Sequence, residues 1–185
     1  MNKTKKYAQS HLASYIQDIE QSERINDPKE LNVFEKSIIL KYTDDGYEAL
    51  NEGLRKSKGM NNTEFGQLLE KSLSKLSNFL GLVYRSVNLT PLELLLYRNA
   101  EKANMDIIEH TFISTSKSSL VAQAFNGNCF FKIFSKTGKS VEKIAKFGIY
   151  TSQNEQEVLF TPNSRFKVLE ITDDFDYTLI TMEEV

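Results

Sequence analysis

The spacing of apolar side chains divides the chain into a helical front and a strand-rich back. Between Tyr7 and about Phe79, apolar residues recur every three or four positions, as they do on one face of a helix. The stripes comprise Leu12, Tyr15, Ile16 and Ile19; Val33, Phe34, Ile38, Ile39 and Tyr42; and Leu68, Leu69, Leu73, Leu76 and Phe79. We therefore predict a series of helices, one of them over Tyr47–Arg55 after a turn at Thr43–Gly46.

The pattern changes after Gly81, where the apolar runs become short and rich in β-branched residues. These runs predict strands over residues 82–87, 111–114, 129–134, 157–160 and 166–171, and one more edge strand over 177–182. Two helices interrupt the strands. One starts at Thr90 and Pro91, which suit a helix cap and a first helical position, and the other runs through residues 120–125. Helices followed by strands indicate an α+β fold.

Length and composition fit one domain and argue against two kinds of partner. The 185 residues are 40% hydrophobic and carry 23 basic and 25 acidic side chains. A single domain is expected, with residues 1–80 as the helical front and residues 81–185 as the strand-rich core. The near balance of charge argues against a nucleic-acid protein, and the longest apolar runs are too short to span a bilayer. The protein is expected to be soluble and monomeric.

The N-terminus and the cysteine and histidine content exclude further classes. No apolar stretch follows the basic N-terminal residues, so any export is expected to use a route without a signal peptide, or the chain is a fragment of a longer one. Cys129 is the one cysteine, and its apolar neighbours predict a buried small hydrophobe. With His11 and His110 as the two histidines, no metal site of the histidine-rich kind is expected.

Two segments of the strand-rich part carry polar side chains where apolar ones are usual. Arg85 lies on a predicted strand between apolar residues, so its guanidinium must meet an anion or a carboxylate. An internal salt bridge is the alternative to an anionic ligand. The strand that starts near Phe112 ends in the hydroxyls of Ser114, Thr115 and Ser116, and a cap for the following helix is the alternative there.

A pair of carboxylates precedes the apolar run at Val158–Phe160. On an extended chain residues two apart face the same side, so Glu155 and Glu157 would point into one site. Such a pairing of like charges is disfavoured unless a function needs it. For Glu155, a solvated position at the end of a loop is the alternative.

The order and spacing of these segments resemble the mono-ADP-ribosyltransferase toxins, whose signature is an arginine, a Ser-Thr-Ser strand and a Glu-X-Glu loop. The likeness is greatest to the enzymatic components of clostridial binary toxins that modify actin, and it runs from about Phe34 to Ile171. The matching segments are Tyr42–Tyr47 with Asn51, Phe112–Ser116, Ala124–Phe125, Glu155–Leu159 and Ser164–Val168.

The resemblance implies a fold in which N-terminal helices pack on a mixed, mainly antiparallel two-sheet core, and it implies NAD as the substrate. It assigns Glu157 to the ribose hydroxyl, where a carboxylate stabilises the oxocarbenium-like cation that forms as nicotinamide leaves. By the same resemblance Ser114 hydrogen-bonds and positions Glu157, and Arg85 holds an NAD phosphate. The other implied contacts are Phe125 against nicotinamide, Tyr42, Tyr47 and Asn51 on the other side of the cofactor, and Tyr150 against the protein substrate.

Glu155 decides the expected acceptor. In the resembling family a Glu at this position goes with arginine acceptors, and a carboxylate suits a guanidinium because it pairs with it and helps remove its proton. The resemblance therefore implies a secreted or injected bacterial toxin or effector that modifies an arginine of a target protein, with actin as one candidate. An NAD glycohydrolase on the same fold and an NAD-binding module without turnover are the alternatives.

Overall fold

The computed structural model describes residues 3–185, which form two compact units. The first comprises residues 3–77 and Lys139–Glu157, and the second comprises Asn78–Gly138 and Val158–Val185. Residues 139–157 thus group with the helical front, although they lie within the strand-rich half of the sequence. No helix within residues 3–185 is long and apolar enough to cross a membrane.

Helices build the first unit, as the apolar spacing predicts. Their bounds are α1 Lys3–His11, α2 Ala13–Glu20, α3 Val33–Lys41, α4 Tyr47–Lys56 and α5 Glu64–Leu73, with a 3-10 turn at Glu23–Ile25. The start of α3 is fixed by a capping box, in which Asn32 accepts the N–H of Glu35 and the Glu35 carboxylate accepts the N–H of Asn32. Local sequence therefore sets where this helix begins.

The turn predicted at Thr43–Gly46 is wrong. Residues Tyr42–Gly46 form one wide π-helical turn that joins α3 to α4 without a break. Neither flanking residue provides a side-chain cap. Instead the carboxylates of Asp44 and Asp45 each accept a hydrogen bond from the hydroxyl of Tyr15 at 3.1 Å, and these contacts hold the wide turn against α2.

Helix α5 is shorter than its apolar stripe predicts. It ends at Leu73, so Leu76 and Phe79 lie outside it. The main chain tightens there into two short turns, in which Lys75 N–H donates to the carbonyl of Ser72 and Leu76 N–H donates to that of Leu73. Leu76 is nevertheless buried. Leu76 is therefore apolar because it is buried, and not because it lies on the helix.

The second unit contains most of the strands and two helices. The strands are β1 Gly81–Val87, β2 Asp106–Glu109, β3 Ile113–Ser116, β4 Cys129–Ser135, β6 Glu157–Phe160, β7 Ser164–Asp173 and β8 Thr178–Glu184, and the first residue of β6 ends the first unit. The short strand β5, Lys139–Ser140, belongs to the first unit. The helices are α6 Pro91–Ala103 and α7 Ser119–Gln123.

These seven strands follow one another in the order β2-β7-β8-β4-β1-β3-β6. The pairs β1–β3, β1–β4, β2–β7 and β7–β8 are antiparallel, and β4–β8 is parallel. The predicted α+β class and the mixed, mainly antiparallel pairing are confirmed. The strands form one sheet, however, where the sequence resemblance implies two, because β8 joins β7 to β4 and so links what would otherwise be separate sets of strands.

Three strands differ from their prediction, since the sequence predicts neither β2 nor the short strand β5 and β8 is not at an edge. The edge position predicted for residues 177–182 is wrong, since β8 lies between β7 and β4. Its inward side chains Ile180 and Met182 are 0% and 3% exposed, which is typical of a central strand. The strand β2 at Asp106–Glu109 is missing from the prediction because it contains only two apolar residues, and its pairing with β7 stabilises it instead.

The core of the second unit packs helix α6 on the sheet. A capping box of Thr90 and Glu93, with Pro91 at the first position, starts α6 as predicted. Its buried side chains Tyr97 and Ala100 join an apolar cluster drawn from six of the strands. Cys129 at the start of β4 is 1% exposed, which confirms the predicted buried hydrophobe.

Candidate active site

Arg85 and Ser114 lie side by side in the second unit. Arg85 is on β1 and Ser114 on the neighbouring strand β3, and Arg85 Nη1 donates to the main-chain carbonyl of Ser114 at 2.7 Å. Arg85 takes part in none of the salt bridges among residues 3–185. The described residues thus do not support the internal salt bridge, and an anionic ligand for this half-buried arginine remains a prediction.

The three hydroxyls of β3 have different surroundings. Thr115 Oγ1 donates to the buried carbonyl of Val158 at 2.8 Å. Ser116 Oγ accepts the N–H of Ser118, whose own hydroxyl caps α7. The helix-cap alternative thus applies to Ser116 and Ser118. Ser114 is half-buried and takes no part in the cap, so its hydroxyl is available for another role.

Phe125 presents a large apolar surface just after α7. Its side chain is 62% exposed, and the next residue, Asn126, adopts a left-handed conformation with φ 49° that ends the helical turn. An exposed aromatic ring beside the strand that carries Arg85 suits a planar ligand. Its contact with nicotinamide remains a prediction.

In the first unit, the structure brings Tyr42, Tyr47 and Asn51 together. Asn51 Nδ2 donates to the Tyr42 hydroxyl at 3.2 Å, and the rings of Tyr42 and Tyr47 meet edge to face at 6.4 Å. Tyr42 is 1% exposed, whereas Tyr47 is 42% exposed. The buried Tyr42 therefore contacts Tyr47 and Asn51 from the core side. Tyr47 and Asn51 are the residues of this group nearer the surface.

The two glutamates occupy different positions in the chain. Glu157 is buried at the first residue of β6, and its carbonyl accepts the N–H of Val141 at 3.0 Å. Glu155 is half-buried and lies before the strand. Between them Gln156 has φ 51°, and its N–H donates to Asn154 Oδ1 at 2.9 Å. The extended conformation assumed for residues 155–157 is therefore wrong, and simple alternation does not describe where the two carboxylates point.

Burial gives Glu155 a chemical character that a solvated loop residue lacks. It raises the pKa of the Glu155 carboxyl above its ordinary value of 4.5. The solvated alternative is therefore not supported. A half-buried carboxylate of this kind gains from a cationic partner such as a guanidinium. Tyr150, in the same stretch of chain, is 37% exposed.

Arg24, which the motifs do not include, contacts the chain that leads to the glutamates. Its Nε donates to the carbonyl of Ile144 at 2.9 Å, and its Nη2 donates to those of Ala145 at 3.0 Å and Lys146 at 3.3 Å. The nearest of these partners is 120 residues away in sequence. A single arginine in a helical region carries no local signal of such a contact, so sequence reasoning misses it.

Comparison with known proteins defines the class. Residues 17–184 match the ADP-ribosyltransferase exoenzyme family, and the chain belongs to that family. It is 37% identical over 141 residues to Mav of Mycobacterium avium (strain 104), whose name provisionally assigns NAD(+)–arginine ADP-ribosyltransferase activity; the match covers 75% of this chain and 16% of Mav. It is 27% identical over 145 residues to the NAD(+)–protein-arginine ADP-ribosyltransferase Tre1 of Serratia proteamaculans (strain 568), covering 77% of this chain and 30% of Tre1. The chain thus spans less than a third of either relative.

Solved structures show the same fold. Exoenzyme S of Pseudomonas aeruginosa superposes with a TM-score of 0.79 at 17% identity, covering 100% of this chain and 90% of that one. The ADP-ribosyltransferase HopU1 of Pseudomonas syringae superposes with a TM-score of 0.78 at 18% identity, covering 92% and 86% of the two chains. At these identities the likeness extends to the fold alone.

Proposed function

We propose that this chain is a mono-ADP-ribosyltransferase domain that moves ADP-ribose from NAD to an arginine of a target protein. The observation that carries the proposal is the environment of the glutamate pair: Glu157 is buried at the start of β6, and Glu155, two residues earlier, is half-buried with a raised pKa. The name of Tre1, an NAD(+)–protein-arginine ADP-ribosyltransferase, and the provisional name of Mav support the same reaction.

In the proposed reaction the C–N bond between nicotinamide and ribose breaks, and its electron pair leaves with nicotinamide. The carboxylate of Glu157 stabilises the positive charge that develops on the sugar. A guanidino nitrogen of the acceptor then bonds to the anomeric carbon, and its proton passes to Glu155. Arg85 binds a phosphate of NAD through its planar donors, and the Ser114 hydroxyl positions Glu157.

The remaining residues of the proposed site bind NAD or the protein substrate. Phe125 packs on nicotinamide, and Tyr47 and Asn51, supported by Tyr42, contact the rest of the cofactor. Tyr150 contacts the target protein. Actin is one candidate target. We propose that the domain acts as a monomer of a bacterial toxin or effector that reaches its target cell by secretion or injection.

The test compares nicotinamide release without acceptor and label transfer from NAD to a small guanidino compound. Replacing Glu157 by Gln keeps the shape and removes the charge, so both activities should fall about 100–1,000-fold. Glu170→Gln is the matched control, because Glu170 is exposed on β7, and it should retain both activities. A Glu157→Gln protein that keeps more than about a tenth of either activity would contradict the assignment. Label found on a residue other than arginine in a target protein would contradict the proposal that arginine is the acceptor.

A further inference from the structure

Both glutamates of the proposed site are tied to one short stretch of main chain. We call residues 141–157 the glutamate loop; all of them lie in the first unit. At one end of the loop, Val141 N–H donates to the carbonyl of Glu157 at 3.0 Å. Further in, Glu155 N–H donates to the carbonyl of Phe147 at 2.9 Å. The backbone positions of Glu155 and Glu157 are therefore coupled to those of Phe147 and Val141.

Residues 141–147 have a fixed compact shape. The N–H groups of Ile144 and Ala145 both donate to the carbonyl of Val141 at 2.8 Å, which makes one helical turn. The chain then folds back so closely that a Cβ on Gly148 would lie 2.0 Å from the carbonyl oxygen of Glu142, and this approach requires glycine. The turn leaves the carbonyls of residues 144–146 at its end without partners inside the helical turn.

Arg24 supplies donors to all three of these carbonyls. Ile144 and Ala145 are 0% and 1% exposed, so water is a poor substitute for a protein donor at this end of the turn. The guanidinium presents several N–H groups in one plane and therefore reaches three successive acceptors at 2.9 to 3.3 Å. A lysine at the same position has one ammonium group and cannot reproduce this arrangement.

Arg24 is itself held in place by a buried cation. Lys36 on α3 is 2% exposed, and its Nζ donates to the main-chain carbonyls of Arg24 at 2.8 Å and Ile25 at 2.9 Å. A second contact fixes the last of residues 144–146, since Lys146 N–H donates to Thr43 Oγ1 at 2.9 Å. Residues 24 and 43 thus hold the loop by its backbone, and the side chains of Lys143 and Lys146 add ion pairs with Asp27 and Asp44.

We propose that Arg24 is a positioning residue that sets Glu155 for the acceptor guanidinium. The inference rests on the proposed function, because Glu155 matters in this way only if arginine is the acceptor. Glu157 also belongs to strand β6, whereas Glu155 lies outside any strand and its N–H donates to the Phe147 carbonyl. Loss of Arg24 therefore displaces Glu155 more than Glu157, and arginine transfer suffers more than NAD hydrolysis.

The experiment measures the ratio of transfer to hydrolysis on the same preparation, with a small guanidino acceptor and labelled NAD. Because a displacement of about 1 Å can cost about 100-fold in rate, Arg24→Ala should lower this ratio at least about tenfold. Arg24→Lys, which keeps a cationic donor group but loses the planar fork, should fall between Arg24→Ala and the wild type. Arg98→Ala is the matched control: it removes an arginine contact, Nη2 to Asp173 at 2.6 Å, in the second unit, and should leave the ratio unchanged.

A second variant tests the same inference if Arg24→Ala does not fold. Thr43→Val preserves shape and removes the acceptor for Lys146 N–H, so it should lower the same ratio by a smaller factor. An unchanged ratio in the folded Arg24 or Thr43 variants would overturn the inference, and so would an equal loss of both activities, which marks a merely structural role. A wild-type protein that hydrolyses NAD without modifying guanidino compounds would instead overturn the proposed function.

Discussion

Glu155 and Glu157 stand two residues apart but meet different physical conditions. Glu157 is buried at the start of a strand, and Glu155 is half-buried in the loop before it, where burial raises its pKa. At a pH below that raised pKa, Glu155 is protonated and cannot accept a proton from the acceptor guanidinium. At higher pH it carries the charge, and a cationic guanidinium relieves the cost of burying it. The acceptor step is therefore the one that should depend on the ionisation of Glu155.

We expect the ratio of arginine transfer to NAD hydrolysis to decrease as the pH falls through the Glu155 pKa. Because that pKa is raised, the decrease should begin above the ordinary value of 4.5. Rates of both reactions should be measured from about pH 8 down to about pH 4, with circular dichroism confirming the fold at each point.

Glu155→Gln supplies the control for this pH profile. It should show a low ratio at every pH, since it has no carboxyl to titrate, while nicotinamide release continues. A wild-type ratio that stays constant over the whole range would show that Glu155 takes no proton in the acceptor step.

Arg85→Lys should weaken NAD binding without unfolding the protein. Lysine can keep the hydrogen bond to the Ser114 carbonyl, which Arg85 makes at 2.7 Å. It lacks the planar guanidinium that can donate two parallel hydrogen bonds to a phosphate. Loss of one charge-assisted hydrogen bond corresponds to about a tenfold rise in Kd, to be measured by calorimetric titration with NAD. Arg165→Lys, in an exposed ion pair with Asp106, is the control. Equal affinity in Arg85→Lys and wild type would leave Arg85 a structural role only.

At the scale of elements, β8 is the strand on which the second unit depends most. It pairs with β4 in parallel from Thr178 to Glu183 and with β7 in antiparallel fashion on its other side. Its carboxylate Glu184 also accepts the N–H groups of Lys136 and Thr137 at 2.6 and 2.7 Å, which closes the turn after β4. Removing β8 would leave β4 and β7 each with one partner strand instead of two.

Deletion of residues 178–185 should therefore abolish folding of the second unit. The loss includes the buried side chains of Ile180 and Met182 as well as both ladders, and it exceeds the usual net stability of about 5–15 kcal/mol. Urea unfolding followed by near-UV circular dichroism provides the measurement. Deletion of Val185 alone, which is 61% exposed, should be tolerated. A cooperative transition of normal size in the longer deletion would show that β8 behaves as the edge strand its sequence predicts.

Elements with strong local signals are the ones that the sequence predicts well. The capping box at Thr90 with Pro91 marks the start of α6, and the strand at Glu157–Phe160 has the predicted bounds. The roles of the motif residues are assigned by resemblance and remain predictions. The failures have a common cause, which is that pairing and conformation depend on distant residues. Local pattern cannot show that β8 is central, or that Gln156 adopts a positive φ between the two glutamates.

At the scale of the whole chain, the first unit is discontinuous. The sequence suggests a division near residue 80, but the structure returns to the helical unit for residues 139–157. The contacts that join the two stretches, such as Arg24 to Ile144 and Lys143 to Asp27 at 3.0 Å, connect residues more than a hundred positions apart. No periodicity or motif encodes such contacts, because they join a side chain to a distant carbonyl or to a distant charged side chain.

This discontinuity has a consequence for the order in which the molecule forms. Helices α1–α5 lie within residues 3–73 and depend largely on short-range contacts, which form early. The glutamate loop can reach Arg24 only after the intervening residues have been made and a long chain segment has closed, which is slow in comparison. A nascent or partly refolded chain then has its helices but not its carboxylates in place. Under the proposed function, a cell that produces this protein is spared the consumption of its own NAD until synthesis has passed residue 157.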